Sequence, residues 1–215
     1  MSIQEKKIIG AQARVISPWA YHGLMTPGGS ATISAFLSDS AIGFALANAL
    51  GWMPNGPALP IQKELKKHWM QIPLRASFFE CQDPRLLPPR AMKLNLDIEG
   101  GLQPRIQSVT ASGNVKPFFS VQEVPVGLVY EGLLVGLDPF EELGVSEIVI
   151  RVGLRQNGQV LLTKKEPSPA RLNASSAMLF ERERDVGCEK YLLANMQASR
   201  LFAPTEALDE LWRWQ

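Results

Sequence analysis

Cysteine and histidine are almost missing from this 215-residue chain, with two of each. Thiols at Cys81 and Cys188 only, about a hundred residues apart, fit a reducing compartment and point to a cytoplasmic protein. They form no zinc site without other ligands, and His22 and His68 are not spaced for a metal, so neither metal nor cofactor is expected. Long apolar runs are also lacking. Asp39, Asn48 and several glycines interrupt every stretch well short of the ~20 residues of a membrane span. The opening Met1-Ser2-Ile3-Gln4-Glu5-Lys6-Lys7 carries charges with no apolar core behind them, so no secretory signal is visible. Catalytic signatures are absent too: no phosphate loop ending in Lys-Ser or Lys-Thr, no dinucleotide fingerprint, no serine in a nucleophile elbow. What is present is ordinary for a folded chain. Apolar residues make up 46% and charged residues 20%, which excludes wholesale disorder. A chain this long buries roughly 70% of its unfolded surface and suits one domain with a sizeable insertion.

Net charge is only +1, but it is unevenly spread. Residues 1–120 hold 12 Lys/Arg against 7 Asp/Glu, and residues 121–215 hold 10 against 14. The asymmetry suits one face toward a polyanion and another toward a basic protein neighbour; chance variation between surface segments accounts for it equally well.

Alternation over 6–17 (KKIIGAQARVIS) predicts a first strand with Ile9, Ala11, Ala13 and Val15 on one side. A loop with Pro18, Trp19, Tyr21, His22, Pro27 and Gly28-Gly29 follows. A helix is expected from about Ser34 to Leu50, capped by Ser34 or Ser38 and closed by Gly51. A shorter helix is expected over 60–70, opened by Pro60, and then a strand over 74–81. Residues 83–116 change texture, with prolines, glycines and the spaced cations Arg85, Arg90, Lys93, Arg105 and Lys116. The alternating Met92–Ile98 within them predicts paired strands with basic loops. Val126–Val135 predicts a strand, Asp138–Leu143 a short capped helix, and 147–152 with 159–163 a hairpin turning at Gln156-Asn157-Gly158. A terminal helix over 205–214, capped by Thr205, completes the chain.

One constellation has chemistry to offer. Tyr21-His22 and Lys66-Lys67-His68 supply the base, acid and cation that metal-free RNA cleavage needs. The competing reading is that Trp19 and Tyr21 pack or stack, while Lys66, Lys67 and His68 form an exposed helix face. Adjacent Glu141-Glu142 point apart on a helix and read as a solvated face.

Three segments in order resemble one family. SDSAIGFALANALG over 38–51 is similar to the helix that follows the first strand in Cas-five-type subunits of CRISPR effector complexes, a branch of the RAMP superfamily. Tyr130-Glu131-Gly132-Leu133-Leu134-Val135-Gly136 and Ile150-Arg151-Val152-Gly153-Leu154-Arg155, followed by Lys164-Lys165, resemble later segments of the type I-D kind. Type IV complexes contain a similar subunit. The resemblance spans residues 6–165.

It implies an α+β fold: an RRM/ferredoxin-like core, an antiparallel sheet with helices on one face, carrying an inserted β-hairpin thumb. A single RAMP-type domain would span 1–215, with the thumb at 83–116 and a C-terminal extension at 174–215. The implied function is non-catalytic: binding the 5′ handle of the crRNA and capping the backbone filament of a Cascade-like ribonucleoprotein complex in RNA-guided antiviral defence. A metal-independent endoribonuclease processing repeat RNA is the alternative. Partners would be crRNA, a backbone filament subunit, the large subunit and target DNA near the PAM, with no membrane. On this reading Arg14 faces the RNA, Trp19, Tyr21 and His22 offer stacking surfaces, and Arg85, Arg90, Lys93, Arg105 and Lys116 reach phosphates from the thumb. Arg151 and Arg155 flank the last core strand, and Lys66 and Lys67 add charge. The acidic C-terminal half would face a basic subunit, and Trp212 and Trp214 would sit at an interface or pack onto the chain's own core.

Overall fold

The computed structural model describes residues 6–21, 23–26, 29–52, 65–93, 118–153 and 157–214. In chain order these form β1 (Ile8–Ser17), β2 (Leu24–Thr26), β3 (Gly29–Ala31), β4 (Phe36–Leu37), α1 (Asp39–Ala49), α2 (Leu65–Gln71), β5 (Leu74–Ala76), β6 (Phe79–Glu80), β7 (Arg90–Lys93) and β8 (Phe118–Gln122). Then come β9 (Val129–Gly136), α3 (Pro139–Leu143), β10 (Glu147–Val152), β11 (Gly158–Lys165), β12 (Ala170–Asn173), α4 (Ala174–Met178), α5 (Glu183–Val186), β13 (Lys190–Leu193), β14 (Met196–Phe202) and α6 (Pro204–Trp212).

β1 is the centre. It pairs antiparallel with β9 on one side and β11 on the other, and β5 and β6 pair antiparallel with β9. The strands that pair around β1 therefore run β11, β1, β9, then β5/β6, while the chain visits β1, α1, β5/β6, β9, α3, β11. That is the interleaved βαββαβ arrangement of a ferredoxin-like core, with β10 added outside β11. The alternation of β1 sets the layers. Ile9, Ala11, Ala13 and Val15 are buried with Ile42 and Leu46 of α1 and Phe140 of α3. Both helices thus cover one face, as expected.

Among the described residues, the opposite face is covered at one end only. Leu133 and Val135, with Ile8 beside them, pack against Leu172, Val186, Phe202, Leu211 and Trp214 of the C-terminal segment. Arg75 joins this segment to the core. The residue is 2% exposed, and its guanidinium donates from Nε to the Trp214 carbonyl and from one terminal nitrogen to the Ile72 and Leu74 carbonyls, each at 2.8 Å. It lies 5.5 Å from the ring centroids of Trp69 and Phe180. Burial lowers its pKa to about 10. Trp214 stacks on Phe180 and is wholly buried, so it packs onto the chain's own core.

Several boundaries depart from the periodicity. α1 begins at Asp39, where Ser38 Oγ accepts the Ala41 amide at 3.1 Å, because Phe36 and Leu37 are drawn into the sheet beside β6. Gly51, at φ +70°, closes that helix as expected. The strand expected over 74–81 divides because the Phe78 amide donates to the Arg171 carbonyl of β12 while its neighbours pair with β9. The hairpin expected from 147–152 and 159–163 forms, with Val152 paired to Gly158 across five intervening residues. α6 is stabilised at its start by Glu206, which accepts the Ala203 amide at 3.0 Å, rather than by Thr205. The helix over 60–70 is described from Leu65, and Pro60 lies outside the described residues.

Asp39 is wholly buried at the start of α1, with Oδ1 accepting from Asn173 Nδ2 at 2.8 Å. Burial holds its carboxyl above the model-compound value of 3.8, against the hydrogen bonds that favour the ion. The folded state therefore binds this proton more tightly than the unfolded chain. Its contribution to stability is fully present below 3.8 and is lost as pH rises through the raised folded value. The urea midpoint of the wild type relative to D39N should therefore fall between about pH 4 and about pH 8. Separately, R75M leaves three carbonyl acceptors without their donor and should lower unfolding free energy by about 3 kcal/mol in the same titration.

Candidate nucleic-acid interface

Three segments meet where β1 ends. Past Ser17, Trp19 exchanges backbone hydrogen bonds with Val124, the residue that follows β8 after Glu123. Gly153 and Gly158, at the adjoining ends of β10 and β11, lie against the same place. A Cβ on Gly153 would stand 2.9 Å from the Ala20 carbonyl, and one on Gly158 would overlap the Trp19 side chain, reaching within 2.9 Å of its Cγ. Glycine is required at Gly158 because its backbone lies directly on the Trp19 side chain.

The aromatic pair in this junction is internal. Trp19 is 2% exposed and belongs to the main core, so the expectation that it offers a stacking surface is corrected: no face of the ring is open to a base. It stacks on Tyr21 at 5.7 Å between centroids and 8° between planes. Tyr21 is half-buried, donates its hydroxyl to Met196 Sδ at 3.3 Å, and burial pushes that hydroxyl's pKa up. His22 lies outside the described residues.

The loop after β1 folds into the β2–β3 hairpin, and β3 pairs in parallel with β8. β8 in turn pairs antiparallel with β7, from Arg90↔Val121 to Lys93↔Phe118. A four-stranded sheet of order β2-β3-β8-β7 results. The excursion expected at 83–116 therefore has a hairpin base inserted between the second and third core strands, tied to the loop that follows the first. Arg105 and Lys116 lie outside the described residues, as does most of Met92–Ile98. Arg90 is ion-paired to Glu123 at 2.9 Å. Arg85 is exposed and makes no ion pair among the described residues. Of Lys93 only the backbone pairing is described.

The uncovered part of the sheet has a legible order. Val149, Leu161, Arg14 and Val129 lie in one row across β10, β11, β1 and β9, and Glu147, Thr163, Gln12 and Glu131 in the next. Arg151 pairs with Gln159, which also faces Ser17, at the end nearest the junction. Arg14 and Arg151 are exposed and free of ion pairs with any described residue. Arg155 lies outside the described residues. The apolar members, Val149 at 50% and Ile16 at 38% exposure, were not singled out from the sequence. Alternation alone marks Val149 as one face of a strand without saying which face is covered.

Lys66 and Lys67 do not join this site. Lys66 lies 5.9 Å above the Phe180 ring, in the cluster that includes Ile8, and Lys67 is exposed beside it. Roughly 20 Å of strand separates Ile8 from Arg14. Among the described residues no cluster of three metal-ligating side chains occurs. The acidic C-terminal half is largely engaged within the chain. Lys164 holds Asp138 at 2.6 Å, Lys165 holds Glu131 at 2.5 Å, and Arg182 holds Glu210 at 2.9 Å; Arg171 pairs with Glu189 and Arg200 with Glu206. No described helix is long and apolar enough to cross a membrane.

G158A tests the junction. Overpacking against Trp19 should lower stability by about 1–3 kcal/mol, read as a reduced thermal midpoint, and enlarge the indole's accessibility to acrylamide quenching.

No family model matches the chain, and no curated protein matches it. Among solved structures, a chain of the type III-B Cmr-beta complex, determined bound to cognate target RNA and AMPPnP, aligns over 90% of this chain and 83% of its own length, at 10% identity and a TM-score of 0.42.

Proposed function

We propose that this chain is a non-catalytic RNA-binding subunit of a CRISPR effector complex, holding the 5′ handle of the crRNA at one end of a backbone filament. The observation that carries the reading is the joining of the β7–β8 hairpin to the β2–β3 hairpin at the end of β1. It adds a second, four-stranded sheet to a ferredoxin-like core at the same end of the central sheet as Arg151, with Arg14 further along β1 and Arg85 just before β7. The in-order resemblance of residues 38–51, 130–136 and 150–155 to Cas-five-type subunits points the same way.

The chemistry available is positional rather than reactive. Arginines without carboxylate partners retain their charge for phosphate oxygens, and strand ends of RNA are held through such contacts together with planar groups. In support of the non-catalytic reading, Tyr21 donates its hydroxyl to Met196 and Lys66 sits over the Phe180 ring, away from the end of β1. A basic neighbour in the filament would meet carboxylates outside the internal pairs, such as Glu181 and Glu183. Subtype and the subunit contacted belong to the same proposal.

Equilibrium binding of a handle-bearing crRNA across a salt series tests it. Log K should fall linearly with log salt, and R14A and R85A should each weaken binding and shallow the slope by about 0.7, the value for one lost single-strand phosphate contact. Failure to retain RNA at low salt, or slopes unchanged in both variants, would exclude the reading. Cleavage of repeat RNA in EDTA, abolished by H22A or H68A, would favour the nuclease instead.

A further inference from the structure

Among the described residues β10 is the outermost strand of the central sheet and pairs with β11 alone. Its six residues, Glu-Ile-Val-Ile-Arg-Val, contain no proline, and its pairing with β11 runs without a register shift. Proteins usually blunt such an edge with prolines, bulges or a covering element, because its outward backbone groups can template another strand. Ile148 and Ile150 point into the core and are buried, whereas Glu147, Val149 and Arg151 lie on the uncovered face and are exposed.

Glu147 and Arg151 carry opposite charges on the same face of the same strand. Four residues of extended chain set them about 13 Å apart, too far to pair with each other. Neither makes an ion pair with any described residue. Val149, half exposed, stands midway between them.

This spacing is self-complementary. When two antiparallel copies of β10 pair about a two-fold axis through Val149, Glu147 falls opposite the second copy's Arg151, and Arg151 opposite its Glu147. Val149 then meets Val149, and Ile148 meets the second copy's Ile150 on the core side, so both faces continue across the junction. Registers that keep the isoleucines on the core side must centre on a residue, since a one-residue slip turns every side chain over. Centring on Ile148 sets Glu147 against Val149; centring on Ile150 sets Arg151 against Val149. Only the Val149 register places unlike charges opposite one another at both ends. Directly opposed unlike charges stabilise an antiparallel pair, and an isologous contact satisfies both copies with one patch.

We propose that β10 is a homodimerisation edge, joining the central sheets of two copies of this chain through an antiparallel β10–β10 ladder centred on Val149. The pairing is independent of the RNA-binding reading.

Sedimentation velocity of the full chain without RNA, over a concentration series, tests it. The wild type should pass from monomer to dimer as concentration rises. E147R and R151E each set like charges opposite in the homodimer and should weaken association about tenfold or more, as both cross-strand pairs turn repulsive. An equimolar mixture of the two variants restores both attractive pairs and should dimerise as strongly as the wild type, as should the double variant E147R/R151E. V149D sets two carboxylates at the axis and should be monomeric. Thermal midpoints near the wild-type value confirm that these exposed substitutions leave the fold intact. A wild type that stays monomeric throughout overturns the proposal. Unchanged association in both single variants, or no recovery on mixing them, overturns it as well. E147R removes no cation, so loss of the dimer with crRNA retained separates this result from failure of the RNA reading.

Discussion

Pairing of β1 on both sides organises the molecule. Every residue from Ile8 to Arg14 is opposed by a β9 residue, and Gly10 to Val15 by β11. A central strand held this way cannot slip by one residue without turning Ala11, Ala13 and Val15 out of the core and Arg14 into it. The layer above β1, the exposed arginine below it and the position of the junction at its end all follow from that register.

The C-terminal segment then decides how much of the second face stays open. It covers the Ile8 end through Leu172, Phe202, Leu211 and Trp214 and stops short of Arg14. Arg75 holds it by donating to the Trp214 carbonyl from a nearly dry site, without a carboxylate partner. A buried guanidinium of this kind is satisfied by carbonyl oxygens and aromatic faces, an arrangement that depends on orientation and tolerates little shift. Acidic residues that look like a patch in the sequence are, for the most part, the other halves of ion pairs with Lys164, Lys165, Arg171, Arg182 and Arg200. The surface left for partners is accordingly narrower than the composition implies.

Local signals were read where physics is local. Alternation over 8–17, the Ser38 cap, Gly51, the Asp138 cap of α3 and the two strands of the β10–β11 hairpin all depend on residues a few positions apart. The errors share the opposite cause. Phe36 and Leu37 follow the sheet rather than the helix because β6, some forty residues later, offers them backbone partners. Trp19 carries the marks of a nucleic-acid contact, an aromatic residue in a loop after a strand, yet Gly158 and Val124 close over it. Arg90 and Arg14 are indistinguishable as letters; one is neutralised by Glu123 and the other faces an uncovered sheet.

Residue order alone marked β1, α1, β9, α3, β10, β11 and α6, and the two-sided character of β1 and β10, since propensity, capping and alternation act within a few residues. Tertiary structure alone decided which face is covered, which cations keep their charge unpaired, and that the excursion's base joins the loop after β1. Those outcomes turn on contacts between positions 30 to 140 residues apart, for example Arg90 with Glu123 and Arg75 with Trp214. Such contacts leave no period in the chain, because each partner is chosen by shape and charge only after the sheet has formed.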